Sequence, residues 1–456
     1  MSSALDLHPL IEARSIAVLG ASADPQKVGG RPIAYLQRMG FSGRIVPINP
    51  NRTEIGGLVC APSILETDPV DLAIISAPID GKLDLVRDAI AAKAKAIVLF
   101  SAGFGEVGEQ GRALQAELSD MARDAGVLVL GPNCLGAISV PNRLAATFTT
   151  ALETRLPRAG SFSYVGQSGA LGAYWLDLVA QTNLGVARWF STGNEALISL
   201  GDVLAYLVED PETKVIGAYV EDIKAPKLFR EAAQKARDAG KTILAIKAGR
   251  SSAGARAVTC HTGANPGDDA AYAEMLADAG VVRVRSLTEM IDAARLLLAP
   301  TPPRGVRLGC ATVSGGAGVL LCDAAIEAGL EIAELSPATT ARLRAALPSF
   351  AHALNPVDVT GAVVSNPVLM PEVMSTLAAA PEIDTIVLFL GAMSSIADNL
   401  VSSIVRARTE NPDKPMCVIW MGGPEAACAQ IEAAGVPVFN EIPPAIAALA
   451  CVARRR

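Results

Sequence analysis

One unit recurs along the whole chain and limits what it can fold into. A short run of β-branched and aliphatic residues leads into a glycine-rich turn, and an alanine-rich amphipathic stretch follows. Alternation of this kind is the pattern of βαβ units wound around parallel sheets. The runs are continuously apolar, as strands buried on both faces must be. In a first block the strands are expected at residues 15–19, 44–48, 72–76, 96–100 and 127–130. After the turn-rich stretch 156–160, a second block has them at 161–165, 187–190, 215–220, 242–247 and 281–284. Residues 300–305 (PTPPRG) read as a linker, and a third block has strands at 307–313, 385–390 and 416–420. At roughly 100–200 residues per domain, 456 residues make about three α/β domains. Their expected spans are 1–150, 151–300 and 301–456.

Composition narrows the partners. Hydrophobic residues make up 51% of the chain, enough to give each block a core. Aromatic residues make up only 4%, so those cores are expected to be built from Ala, Val, Leu and Ile. A net charge of −7 argues against a nucleic-acid surface, which needs a basic stripe. No apolar run approaches the roughly 20 residues of a membrane span, and the N-terminus lacks a signal-peptide layout. The eight cysteines form no CxxC pair, which suits reduced thiols in a cytoplasm and not a disulfide framework or a zinc site.

The first block ends its strands in turns suited to an anion. Residues 16–22 (IAVLGAS) run through Gly20 to Ser22, and Lys27-Val28-Gly29-Gly30 follows. A strand that enters a helix through glycines leaves backbone N–H groups free to point at a ligand. The turn is not GxGxxG, so a dinucleotide fingerprint is unsupported. Asn49-Pro50, Ser76-Ala77-Pro78 and Ser101-Ala102-Gly103-Phe104 end later strands, on the edge where open α/β sheets bind ligands. Each alone reads equally well as an ordinary loop; together they favour a nucleotide-like ligand.

Of three histidines, His8 is expected in a frayed N-terminus and His352 in a structural loop. A His₃ metal site would need all three, drawn from the N-terminus and two other blocks, so no metal is expected. His261 stands apart, in a stretch rich in Gly, Ser and Thr with Lys247, Arg250 and Arg256 before it. The stretch is expected to be a long loop, a form usually functional or disordered. An imidazole is largely neutral at pH 7 and can act as a nucleophile. A plain loop histidine remains the competing reading, and a Cys260–His261 catalytic pair a weaker one, since adjacent side chains diverge. Two glycine turns sit where phosphate would be held at helix N-termini, Gln167-Ser168-Gly169 and Ser314-Gly315-Gly316. An acid at the end of the run 215–220 would hold one imidazole N–H and free the other nitrogen. On local grounds Glu221 and Asp222 serve equally.

Taken together, the segments AVLGASADPQKVGG, INPNRTEIGG, SAGFGEVGEQG, GPNCLGAI, GQSGALG, STGNEA, LVEDPETKVIGAYVEDI, IKAGRSSAGARAVTCHTG and NPVDVTG resemble one family over nearly the whole chain. It is the α subunit of ADP-forming acetyl-CoA synthetase, in the succinyl-CoA synthetase superfamily. The resemblance implies a Rossmann-like CoA-binding domain followed by two flavodoxin-like domains. It implies Gly20, Ser22, Lys27, Val28, Asn49, Ser76, Pro78 and Asn133 near CoA, His261 as the phosphorylated histidine and Glu221 as its acidic partner. Gln167, Ser168, Gly169, Gly315 and Gly316 would open the phosphate-binding helices. Cys260 stands where the family usually has Ser, and Ala264-Asn265-Pro266 also departs from its pattern; neither removes the nucleophile. No ATP-grasp domain follows the third block. A separate β subunit or a longer enzyme is therefore expected to supply ATP or ADP with Mg²⁺, in a hetero-oligomer acting on CoA and a small carboxylic acid. Two rival functions are a non-catalytic CoA-binding regulatory subunit and, against the missing GxGxxG, an NAD(P)-dependent oxidoreductase.

Overall fold

The computed structural model describes residues 4–79, 83–262 and 267–453 and, of His261 and Thr262, the backbone alone. Two compact units divide between Arg283 and Val284. The divide falls ahead of residues 300–305, the expected linker, because the helix Leu287–Leu297 packs on the helix Ile442–Ala453 of the second unit.

The first unit holds two sheets. One is wholly parallel, with strands in the order Arg44–Ile48, Ser15–Leu19, Leu72–Ile75, Ala96–Leu99 and Leu128–Leu130. The chain leaves Ser15–Leu19 to one side and returns on the other. The switch point opens a crevice at the carboxyl ends of Ser15–Leu19 and Leu72–Ile75. The second sheet runs Val282–Arg283, Thr242–Lys247, Val215–Val220, Ala159–Gly166, Val186–Ser191, Gly136–Ser139 and Leu144–Thr147. Its last two strands are an antiparallel hairpin that pairs with Val186–Ser191, although it lies within residues 1–150. One hydrophobic cluster runs from Ile16 and Leu72 of the first sheet to Val165 and Phe190 of the second. The second unit has one parallel sheet, Glu331–Ile332, Arg307–Thr312, Thr385–Leu390, Met416–Trp420 and Val438–Phe439, with Val357–Asp358 also paired to Arg307–Thr312.

Two expectations need correction. Aliphatic residues do not fill the cores alone: Trp175, Trp189 and Trp420 are all fully buried. Gly172 makes room for this on the helix Gly169–Ala180, since a Cβ there would lie 2.9 Å from the Trp189 ring. The Trp189 indole N–H then donates to the Gly172 carbonyl at 3.0 Å. His8 is not frayed either; it opens the helix His8–Ile11, anchored by the buried Leu7, Leu10 and Ile11. Among the described residues no helix is long and apolar enough to cross a membrane.

The second sheet carries a buried ion pair, Arg188 to Asp210 at 3.1 Å, with side chains 4% and 1% exposed. Arg188 also donates to Ser139 and Asn142 of the hairpin, at 2.6 and 3.0 Å, so the pair joins hairpin to sheet. Removing one partner of such a pair strands the other charge without solvent. Arg188→Met should therefore lower unfolding free energy by about 3–5 kcal/mol, and Arg188→Met with Asp210→Leu should recover most of that loss. Urea midpoints of the single and double variants check this.

Candidate active site

The candidate site is built at the carboxyl edges of the two sheets of the first unit. After the strand Ser15–Leu19, Gly20 takes φ +80°. Its missing side chain lets it lie against Ala77, where a Cβ would come within 2.9 Å of the backbone. Ser76 Oγ donates to the carbonyls of Leu19 and Gly20 at 2.7 and 3.2 Å. Asn49 Nδ2 donates to the Ala21 carbonyl at 2.8 Å, and the Ser22 amide to the Gly29 carbonyl at 3.3 Å. Gly20, Ser22, Asn49 and Ser76 thus lace three strand ends into one rim. Lys27 and Val28 are exposed on the turn before the helix Arg31–Met39.

Two cavities lie at these edges, and Ser76 of the rim lines the first of them. One, of about 450 Å³, is lined by Val28, Ser76, Pro78, Gly103 and Phe104, among others. The second, of about 550 Å³, is lined by Asn133, Gln167, Ser168, Gly169, Asn194, Glu221 and Lys224, among others. Phe100 and Phe148 line both, as an edge-to-face pair with ring centroids 4.7 Å apart. Asn133 reaches the second cavity with φ +55°, directly after the cis Gly131–Pro132 bond. Of the expected site residues, Val28, Ser76 and Pro78 line the first space and Asn133, Gln167, Ser168, Gly169 and Glu221 the second, whereas Gly20, Ser22, Lys27 and Asn49 line neither. Gly315 and Gly316 open the helix Gly315–Glu327 of the second unit, where Ser314 caps the Ala317 amide at 3.4 Å.

Gln167 organises the second cavity. Its Oε1 accepts from the backbone amides of Glu221 and Asp222 at 2.7 and 3.1 Å, and its Nε2 donates to the Asp222 carbonyl at 2.9 Å. Ser168 caps the helix Gly169–Ala180, accepting from the Leu171 amide at 3.4 Å. Glu221 lines the cavity and is 4% exposed. Lys247, also buried, lies beneath it, donating to the carbonyls of Glu221 and Ala248 at 3.0 and 2.6 Å and sitting 4.4 Å over the Tyr272 ring. Burial holds the Lys247 ammonium below its ordinary pKa, against the pull of Asp269 and Asp222. Tyr272 OH donates to Asp222 Oδ1 at 3.3 Å, and both Asp222 and Glu221 line the cavity.

His261 belongs to a helix, Ser252–Thr262, and not to the long loop expected there. Ala253, Ala255, Arg256 and Ala257 are strong helix formers, and they outweigh Gly254. Ser251 starts the turn by accepting from the Gly254 amide at 3.1 Å. The His261 side chain, and the departures at Ala264, Asn265 and Pro266, lie outside the described residues.

Residue-by-residue reading missed a second set of site groups. Glu106, Gln115, Asn194, Glu195 and Lys224 come from three separate loops and one helix, and no local spacing marks them. Glu195 alone carries a signal, an acid two residues after glycine in STGNEA that takes φ +56°. Its Oε1 accepts from Thr192 Oγ1 and the Leu200 amide at 2.9 and 3.0 Å, and its Oε2 has no hydrogen-bond partner. Burial pushes its carboxyl up to about 7.

Comparison with known proteins gives the following. A CoA binding domain model matches residues 14–139, a succinyl-CoA ligase like flavodoxin domain residues 159–297 and a ligase-CoA domain residues 309–448. The chain is 33% identical over 445 residues to the alpha subunit of acetate–CoA ligase [ADP-forming] II of Pyrococcus furiosus, covering 96% of this chain and 95% of that one. It is 34% identical over 380 residues to a trans-feruloyl-CoA synthase of an unknown prokaryotic organism, covering 83% of this chain and 54% of that protein, so it spans about half of that longer enzyme. Among solved structures, the dinucleotide forming acetyl-coenzyme A synthetase 1 of Ca. Korarchaeum cryptofilum, in complex with phosphate and ADP, superposes with a TM-score of 0.89 at 32% identity, covering 98% of this chain and 96% of that one.

The raised Glu195 carboxyl has a consequence for stability. Its folded pKa of about 7 lies above the unfolded value near 4.5, so the folded state binds the extra proton between them. Stability is unaffected by this group below about pH 4.5 and falls as pH rises towards 7, by up to about 3 kcal/mol. Glu195→Gln should flatten that fall and raise the melting temperature above pH 7 relative to the parent. Thermal unfolding at several pH values checks it.

Proposed function

The chain belongs to the α subunits of ADP-forming acyl-CoA synthetases, in the succinyl-CoA synthetase superfamily, and from that membership we propose that it binds CoA in its first cavity and carries phosphate on His261. The observation that supports this most is the second cavity, where Asn133, the Gln167–Gly169 turn and Glu221 line one space next to the first.

The reaction runs in two transfers on this chain. An oxygen of inorganic phosphate attacks the thioester carbonyl carbon; the C–S bond breaks and CoA leaves as a thiolate that takes up a proton. A ring nitrogen of His261 then attacks the phosphorus of the acyl phosphate, and the P–O bond to the acyl oxygen breaks, releasing the carboxylate. The first turn of Gly169–Ala180 offers backbone N–H groups and the positive end of a helix dipole to the phosphate. Glu221 would accept from the other imidazole nitrogen, fixing its tautomer and stabilising the charge that develops on attack. Positioning and charge stabilisation of this kind carry most of phosphoryl transfer. Nucleotide and Mg²⁺ are assigned to an ATP-grasp partner, to which the helix Ser252–Thr262 delivers the phosphate. The acyl group is a small carboxylic acid; acetate, named for the Pyrococcus relative, is the first to try.

Given acyl-CoA and labelled phosphate, the chain should gain a label that is stable to base and lost in acid. His261→Ala should take none, and label retained there would refute the assignment. Glu221→Gln should label at least about tenfold more slowly, the effect typical of losing one orienting charge–imidazole contact.

A further inference from the structure

Residues of the first cavity are tied to the site of Glu221 by a small polar cluster that the reaction above does not use. Gly103 and Phe104 line the first cavity. Their amides donate to Glu106 Oε1 at 2.6 and 3.3 Å. Glu106 Oε2 accepts from Asn194 Nδ2. Burial raises the Glu106 carboxyl, but the hydrogen bonds from Asn194 and these amides outweigh it and hold it below the usual range. Asn194 is used completely. Its Nδ2 also donates to Gln115 Oε1 at 3.2 Å, and its Oδ1 accepts from Asn133 Nδ2 at 3.2 Å. Its carbonyl accepts from Lys224 Nζ at 2.5 Å, three residues beyond Glu221.

The backbone that carries Asn194 is held tightly. Gly193 has φ +59°, and a Cβ there would lie 2.3 Å from the Pro132 carbonyl. The amides of Asn194 and Ala196 donate to the carbonyls of Pro132 and Gly131, both at 2.9 Å. The turn Gly105–Val107, which contains Glu106, also touches the helix Ser252–Thr262 that ends in His261. One carboxylate therefore holds a wall of the first cavity and the Asn194 hub, and it stands on a turn that also touches the histidine-bearing helix.

We propose that Glu106 and Asn194 are positioning residues that couple occupancy of the CoA cavity to the seating of the His261 helix beside Glu221. The proposal rests on the phosphate-carrier reading of His261. A CoA chain in the first cavity packs on Gly103 and Phe104 and stiffens their loop. Through Glu106 that stiffening fixes Asn194 on one side and the contact with the helix on the other. The half-reaction that involves CoA depends on this link. The half-reaction with nucleotide, which the helix reaches after leaving the turn, does not.

The test measures phosphorylation of the assembled enzyme from both directions. Glu106→Gln sets an amide nitrogen against Asn194 Nδ2, and Asn194→Asp sets a carboxylate against Glu106. Each single variant should slow labelling from acyl-CoA and phosphate, and weaken CoA binding by calorimetry, about tenfold, the loss expected of one charge-assisted hydrogen bond. Labelling from ATP should stay near the parent rate. The double variant, Glu106→Gln with Asn194→Asp, reverses donor and acceptor: the introduced amide would donate to the introduced carboxylate. It should regain part of both losses, since the introduced carboxylate also meets Gln115 Oε1, to which Asn194 Nδ2 donates in the parent. Singles that label normally from acyl-CoA, singles that lose both directions equally, or a double variant no better than the singles would each overturn the coupling. A parent enzyme that takes no label from either side would overturn the carrier reading and the coupling with it. Label on the parent that survives His261→Ala would overturn the carrier reading by itself.

Discussion

A single side-chain amide does the work of backbone at the centre of this molecule. The strands Ala159–Gly166 and Val215–Val220 pair in parallel up to Gly166 and Tyr219. Beyond that point the sheet splays, and the amides of Glu221 and Asp222 lose their ladder partners. Buried backbone amides need acceptors. Gln167 supplies one oxygen to both, and its own N–H returns to the Asp222 carbonyl. The next residue, Ser168, caps a helix. Three consecutive residues thus end a strand, fix the backbone that carries the acid and start the helix that faces the cavity. A shorter side chain at 167 would leave the amides of Glu221 and Asp222 without this acceptor.

Around that amide the protein tolerates an unusual load of buried charge. Lys247 is buried beneath the Glu221 carbonyl, Glu195 is buried beside the Asn194 hub, and Arg188 and Asp210 are buried on the same sheet. Their settings differ. Arg188 and Asp210 neutralise each other and are further hydrogen-bonded by Ser139, Asn142 and Thr213. Lys247 is satisfied by two backbone carbonyls and an aromatic face. Glu195 keeps one oxygen without a partner and responds by binding its proton more tightly. Only the first arrangement pairs opposite charges, and Arg188 Nε is left there without a hydrogen-bond partner. Lys247 and Glu195 each sit against a residue that lines the second cavity, Glu221 and Asn194 respectively.

How much of this was readable in advance depends on what each element rests on. The strands at 15–19, 44–48, 215–220, 242–247, 385–390 and 416–420 fall at the residues expected of them. Burial on both faces demands an unbroken apolar run, and such runs are visible locally. The hairpin Gly136–Ser139 and Leu144–Thr147 is short and alanine-rich, and its pairing with a strand fifty residues away leaves no local mark. The helix Ser252–Thr262 was hidden by its Gly, Ser and Thr, although alanine carried the propensity. Glycine turns made Gly20, Ser168 and Gly169 legible, because backbone at a helix start is a local property. Glu106, Gln115, Asn194 and Lys224 are ordinary polar residues until folding brings four parts of the chain together.

The histidine-bearing helix and Glu221 are built to different standards of rigidity. Glu221 stands on a strand of a seven-stranded sheet, clamped by Gln167 and Lys247. Between Ser252 and Cys260 the helix buries one apolar side chain, Val258, at 9% exposure. Isolated helices of this length are marginal in water, so packing must hold it. One buried valine contributes about 2 kcal/mol. Undocking the segment therefore costs little, whereas moving Glu221 would break its backbone bonds to Gln167 and Lys247. On the reading proposed above, His261 serves two distant sites and so needs a mobile mount and a fixed receiver. The shallow burial of this helix, set against the buried and clamped acid, meets that requirement without any change in the sheets.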